Sequence, residues 1–158
     1  VINRCKKAII IEPNDFFYNA IKKTFRKYIP QKAKLFKCAV GDKESVVKLS
    51  NHSISSSIIE ASGGNTKMTT LDNLLYNRYP ITYIKADLEG YEIKMLKGAS
   101  HIIRDFRPKI AITCYHQKND YREIIKFIKK LVPEYTYYLK GISQLAGKPV
   151  MIHLWIPD

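Results

Sequence analysis

The chain is short of the features that announce most function classes. It has three cysteines in 158 residues, Cys5, Cys38 and Cys114, and no two share a CxxC spacing. That speaks against a disulfide scaffold and a zinc-finger pattern, and it points to reduced thiols in a cytoplasmic protein, serving as small core hydrophobes. No apolar run approaches the roughly 20 residues of a membrane span. The opening VINRCKK has no apolar segment leading to a cleavage site. There is no GxSxG, no phosphate-binding loop and no GxGxxG, and Gly63-Gly64 does not lie between a strand and a helix. No cysteine has a base beside it, so no nucleophilic triad is arguable. Acidic residues are scarce, 14 against 27 basic ones, for a net charge of +13. The lysines punctuate helices and turns throughout and form no single arm. The charge therefore reads as solvated surface, not as a specific nucleic-acid site.

What is present is a globular composition, with 46% apolar residues and 11 tyrosines, and a length suited to one domain. Ala8–Glu12 reads as a strand buried on both faces. Asn14 caps the following helix, which carries its apolar residues at helical spacing through Tyr28. Lys34–Val40 reads as a second strand, ended by Gly41-Asp42, and Val46–Leu49 as a short third. Residues 51–66, rich in Ser, Asn and Gly, read as a long loop that includes His52 and Ser55–Ser57. Thr70 caps a helix with Leu71, Leu74 and Leu75. Ile81–Ala86 is strand-like, followed by a helix over Tyr91–Lys97 with Gly98 as its stop. Lys109–Cys114 is a further strand. Asn119 caps an amphipathic helix, and Tyr135–Leu139 and Val150–Ile156 form a closing antiparallel pair. Alternating strands and helices predict an open α/β sheet with helices on both faces.

In such a sheet ligands bind at the carboxyl ends of strands. Glu12 stands at one such end. Its two oxygens suit the vicinal hydroxyls of a ribose, and they suit equally a surface carboxylate beside a helix start. KADLEGYE is the densest acidic patch in a basic chain, with Asp87, Glu89 and Glu92 within six residues and Gly90 permitting a sharp turn. Asp87 sits where an acid or base belongs. Helix N-terminal charge accounts for Glu92 and in part for Glu89. His116 follows another buried strand as a general base, a metal ligand or a loop histidine bonded to backbone. His101 and His153 read as structural. Paired carboxylates can hold a divalent metal, but no metal is assigned.

The order of these motifs resembles the FkbM-family methyltransferases. IIIEPND, CAVGDKE, MTTLDNLL, YIKADLEGYEIKMLKGA, RPKIAITCYHQKND and PEYTYYL follow one another as that family's later elements do. The resemblance implies a Rossmann-like class I methyltransferase sheet with a C-terminal antiparallel hairpin. It implies S-adenosylmethionine as methyl donor and a hydroxyl of a sugar, glycan or natural product as acceptor. Carried over, Glu12 and Asn14 hold the ribose end of the cofactor and Asp42 lies beside the adenine. Asp87 lies near the methyl group, while Glu89 and His116 line the acceptor pocket. The family's opening strand and glycine-rich turn have no match here. The expectation is a C-terminal portion of one methyltransferase domain, first strand and helix missing, with unpaired edges on the second and fourth strands. Two other readings stand beside it: a different nucleotide-binding enzyme, sugar-nucleotide or NAD-dependent, and a non-catalytic basic module for anionic polymers.

Overall fold

The structure is a computed structural model that describes residues 5–29, 31–50, 58–59, 63–117, 120–143 and 147–157. Its contacts group the chain into two units, Val1–Val40 with Glu44–Met68, and Gly41–Lys43 with Thr69–Asp158. The cap proposed at Asn119, and the loop residues His52 and Ser55–Ser57, lie outside the described residues.

In the first unit, strand β1 (Ala8–Ile11) is followed by helix α1 (Asp15–Thr24) and strand β2 (Ala33–Phe36). β1 and β2 pair in parallel, Ala8 opposite Ala33 and Ile11 opposite Phe36. Asn14 caps α1 as expected, its Oδ1 accepting the amides of Phe16 and Phe17. The helix stops at Thr24, short of Tyr28. Past it the amides of Tyr28 and Ile29 both turn back to the Phe25 carbonyl. β1 is half-exposed throughout and not buried on both faces. One neighbouring strand, and a helix with no buried residue, give it too little cover.

The run Lys34–Val40 is two strands, not one. β2 ends at Phe36, and β3 (Ala39–Val40) belongs to another sheet, with β4 (Ser45–Leu49), β5 (Ile58–Ile59) and β6 (Thr66–Thr69) in the order β3-β6-β4-β5. β4 pairs antiparallel with both β5 and β6. The polar stretch read as one long loop therefore contributes strand residues at Ile58–Ile59 and from Thr66. Small polar residues hide strands whose stability comes from ladder hydrogen bonds and not from apolar alternation.

The second unit holds α2 (Leu71–Leu75), β7 (Tyr83–Ala86), α3 (Glu92–Lys97), α4 (Ser100–Phe106), β8 (Lys109–Thr113), α5 (Asp120–Leu131), β9 (Thr136–Ile142) and β10 (Pro149–Trp155). One sheet runs β7-β8-β10-β9. β7 and β8 are parallel, as a helical connection between them requires. β10 runs antiparallel to β8 and β9, closing the expected hairpin. β8 is buried from Ile110 to Thr113, the mark of a central strand covered on both faces. β7 alternates, with Ile84 and Ala86 in and Tyr83 and Lys85 out. Among the described residues β7 pairs only with β8, and β1 only with β2. Each therefore has a single ladder partner among the described residues. Met95, Leu96, Ile102, Ile103, Ile124, Ile128 and Tyr135 complete this core.

Two contacts hold the helices in register. Asp72 of α2 accepts the amides of His101 and Ile102, so a side chain from a different helix caps α4. His101, read as structural, is an exposed partner of Asp72. Gly98 ends α3 with φ −75°, a value open to any residue. It must be glycine for another reason: a Cβ there would lie 2.0 Å from the Gly41 carbonyl oxygen. Gly41 is itself pinned, its amide donating to Thr69. Gly98→Ala is expected to cost about 1–3 kcal/mol through this clash, read as a lower denaturant midpoint.

Tyr135 is fully buried, and its hydroxyl donates to the Pro108 carbonyl at 2.7 Å. Burial pushes its phenol from 10.0 up to about 12. A raised folded value means stability that is complete below the unfolded value and is lost as pH rises through the folded one. The Tyr135 share of folding stability is therefore flat to about pH 10 and falls towards pH 12. Tyr135→Phe should remove that alkaline share and cost about 1–2 kcal/mol at neutral pH, since Pro108 loses its donor. Chemical denaturation across pH checks both.

Candidate active site

β7 and β8 are parallel neighbours, so their carboxyl ends open on the same side. Asp87 follows β7 directly, and Thr113 ends β8. Between Asp87 and α3 the chain makes a tight turn in which Glu89 has φ 52° and Gly90 φ 96°. Glycine takes this region freely, whereas for Glu89 it costs about 1–2 kcal/mol. The turn brings α3 in with Glu92 as its first residue. Glu92 is 1% exposed. Its Oε1 accepts the Leu88 amide at 2.9 Å. The same oxygen lies 3.2 Å from the Thr113 hydroxyl and 3.0 Å from His116 Nδ1. Glu92 Oε2 and His116 Nε2 are buried with no hydrogen-bond partner.

Thr113 Oγ1 also lies 2.9 Å from Asp87 Oδ1. A hydroxyl carries one proton, so Thr113 serves one carboxylate at a time and holds the two at a fixed spacing. A carboxylate facing Nδ1 fixes the tautomer of His116: Nδ1 carries the proton and donates it to Glu92. Nε2 faces Asp87 Oδ1 at 3.7 Å and Glu89 Oε2 at 3.5 Å. Among the described residues, His116 is the basic side chain in ion-pair range of Asp87, Glu89 and Glu92. The surroundings register the excess negative charge. Burial raises the Cys114 thiol to about 11, helped by Asp120 and Glu92. Burial also raises the Tyr115 phenol, with Asp87, Glu89 and Glu92 adding to it.

The structure therefore brings together the three residues given a site role from the sequence, Asp87, Glu89 and His116, and adds two that were given none. Glu92 was read as helix N-terminal charge, yet it is the buried centre of the cluster. Thr113 had no signal at all as the last residue of an apolar strand. The spacing of Glu92 from Asp87 was visible. Its burial was not, because burial here depends on β8 and the His116 loop lying over it.

The other candidates lie elsewhere in the chain. Glu12 follows β1, half-buried, with Oε1 accepting the Asn14 amide at 2.8 Å. Burial pushes its carboxyl up from 4.5, and the Asn14 hydrogen bond pulls part of that shift back. Its second oxygen has no protein partner among the described residues, so it can accept from a ribose hydroxyl. The Asn14 carboxamide oxygen is committed to capping α1, so any contribution to a ligand comes from the rest of that residue. Asp42 is exposed on the turn after β3.

The model of the methyltransferase FkbM domain matches residues 3–138. No curated protein matches the chain. The crystal structure of methyltransferase FkbM from Methylobacillus flagellatus KT resembles it with a TM-score of 0.73 at 20% sequence identity. The likeness covers 95% of this chain and 36% of that one, so the chain spans about a third of that protein's length. At such identity the structural likeness establishes the α/β fold alone, and the family rests on the matched domain. With that match running through most of its length, the chain belongs to the FkbM methyltransferase family.

Proposed function

We propose that the protein is an S-adenosylmethionine-dependent O-methyltransferase acting on a hydroxyl of a sugar, glycan or natural product. The observation that carries this reading is the cluster of Asp87, Glu89, Glu92 and His116 at the carboxyl ends of β7 and β8. The cofactor supplies a methyl group on a positively charged sulfur. What the chain must do is align the acceptor oxygen and take its proton. Asp87 is suited to that: it is half-exposed, and its Oδ1 is held by Thr113. Its other oxygen remains for the acceptor. His116, oriented by Glu92, and Glu89 line the same place and orient the acceptor's neighbouring hydroxyls. Glu12 accepts from the ribose, Asn14 lies beside it, and Asp42 serves the adenine. The acceptor is a small molecule or glycan and not a specific nucleic acid. The three free cysteines suit a cytoplasmic setting.

S-adenosylmethionine binding is measured by calorimetry on the chain together with any residues encoded upstream of Val1. Saturable binding is expected, and Glu12→Ala should weaken it by about 1.5–3 kcal/mol, the worth of a hydrogen bond to a charged group. Unchanged affinity would remove Glu12 from the site, and no binding to any form would sink the proposal. Asp87→Asn should lower kcat far more than cofactor affinity.

The backbone of Glu89 gives an independent check. A strained left-handed residue kept at a functional site trades stability for placement. Glu89→Gly should raise stability by about 1 kcal/mol, by relieving that strain, while raising KM for the acceptor. If stability falls instead, the turn is not strained at Glu89.

A further inference from the structure

Along the chain the basic residues look evenly spread, but in the fold they are not. The first unit holds 12 basic and 4 acidic side chains in 65 residues, and the second holds 15 and 10 in 93. The surplus gathers between Asp15 and Asp42, a stretch with no acidic residue at all. It contains Lys22, Lys23, Arg26, Lys27, Lys32, Lys34 and Lys37. Lys37 is paired with Asp15. Lys22, Lys23, Arg26 and Lys27 are exposed and have no acidic partner among the described residues. The helix dipole gives a reason for cations at the end of α1, where Lys22 and Lys23 occupy the last turn. Two would satisfy that end, and the chain supplies four.

α1 presents this charge on a defined face. Phe17 and Ile21 are half-buried on its inner side, while Phe16, Ala20 and Lys23 recur at helical spacing along its exposed side. Phe16 is 75% exposed, an apolar ring held in water on the face that carries Lys23. We propose that this exposed face of α1, with Arg26 and Lys27 just beyond it, binds the surface of an anionic lipid bilayer. A cluster of about four to eight basic residues on an amphipathic helix is what holds a protein to negatively charged headgroups. The long lysine stems let the ammonium groups reach the phosphates while the Phe16 ring sinks to the edge of the acyl layer. Residue choice favours lipid over nucleic acid. Arg26 is the one arginine among the seven cations. Lysine is a point charge suited to a diffuse layer of headgroups, whereas arginine is the residue that grips nucleic-acid phosphates in a fixed geometry. This surface is independent of the proposed methyl transfer, since Asp87, Glu89, Glu92 and His116 belong to the other unit.

The test is co-sedimentation of the intact chain with vesicles, either pure phosphatidylcholine or phosphatidylcholine mixed with phosphatidylglycerol, at about 0.1 M salt, where charges a Debye length apart still interact. Binding to the mixed vesicles alone is expected, and added salt should weaken it. Lys23→Glu combined with Lys27→Glu should weaken it by about tenfold or more, given what each basic residue near such a surface contributes. Lys126→Glu combined with Lys130→Glu makes the same change in net charge on the exposed side of α5 and should change binding by less than about twofold, because screening confines the attraction to charges near the lipid. All four positions are exposed, so the variants stay folded, which circular dichroism checks. Phe16→Ala should weaken vesicle binding several-fold and leave binding to duplex DNA unchanged. Equal binding to neutral and mixed vesicles would overturn the proposal, as would equal losses from the two charge-reversed pairs. So would vesicle binding untouched by Phe16→Ala, or release of the chain from mixed vesicles by a small amount of duplex DNA, which would assign the face to nucleic acid. Any of these would leave the methyltransferase reading standing.

Discussion

Burying a carboxylate is costly unless its oxygens are hydrogen-bonded or paired, and Glu92 is buried at the first turn of α3. Much around the active site is arranged so that this burial can be sustained. The Leu88 amide, the Thr113 hydroxyl and the His116 ring all converge on one oxygen. They come from three places: the turn after β7, the end of β8 and the loop beyond β8. A single buried charge therefore ties together the segments that carry Asp87, Glu89 and His116. It also sets which nitrogen of His116 faces Asp87 and Glu89.

The sheet makes this convergence possible. β7 and β8 run in parallel, so their ends emerge side by side. β8 is buried on both faces and cannot shift without disturbing the core. The helices between the two strands are held by contacts that leave little freedom. Asp72 caps α4 from α2, and Gly98 lets the end of α3 approach the Gly41 backbone. Each restrains α3 or its neighbour, and α3 carries Glu92. The left-handed backbone at Glu89 is the residual strain of fitting a turn between the strand end and that helix.

A good part of this was legible in the sequence. The caps at Asn14 and Thr70, the closing hairpin and the strand leading to Asp87 follow from local rules, because a capping side chain or an apolar run acts within a few residues. The misreadings share a cause. β1 was read as fully buried because an apolar run carries no information on how many strands flank it. Lys34–Val40 was read as one strand because leaving one sheet for another changes the partner and not the composition.

The sequence alone determined the alternation of strands and helices, the acidic patch after a buried strand and the likeness to the FkbM family, because these depend on residue type and on spacing along the chain. Tertiary structure alone decided that Glu92 and not Asp87 is the buried acid, that Thr113 bridges the two, and that His116 presents Nε2 to Asp87 and Glu89. The reason is separation. Thr113 and His116 are more than 20 positions from Glu92, and only the pairing of β7 with β8 brings them within hydrogen-bond reach. Whether a carboxylate is a solvated helix charge or the centre of a site is a property of what lies over it.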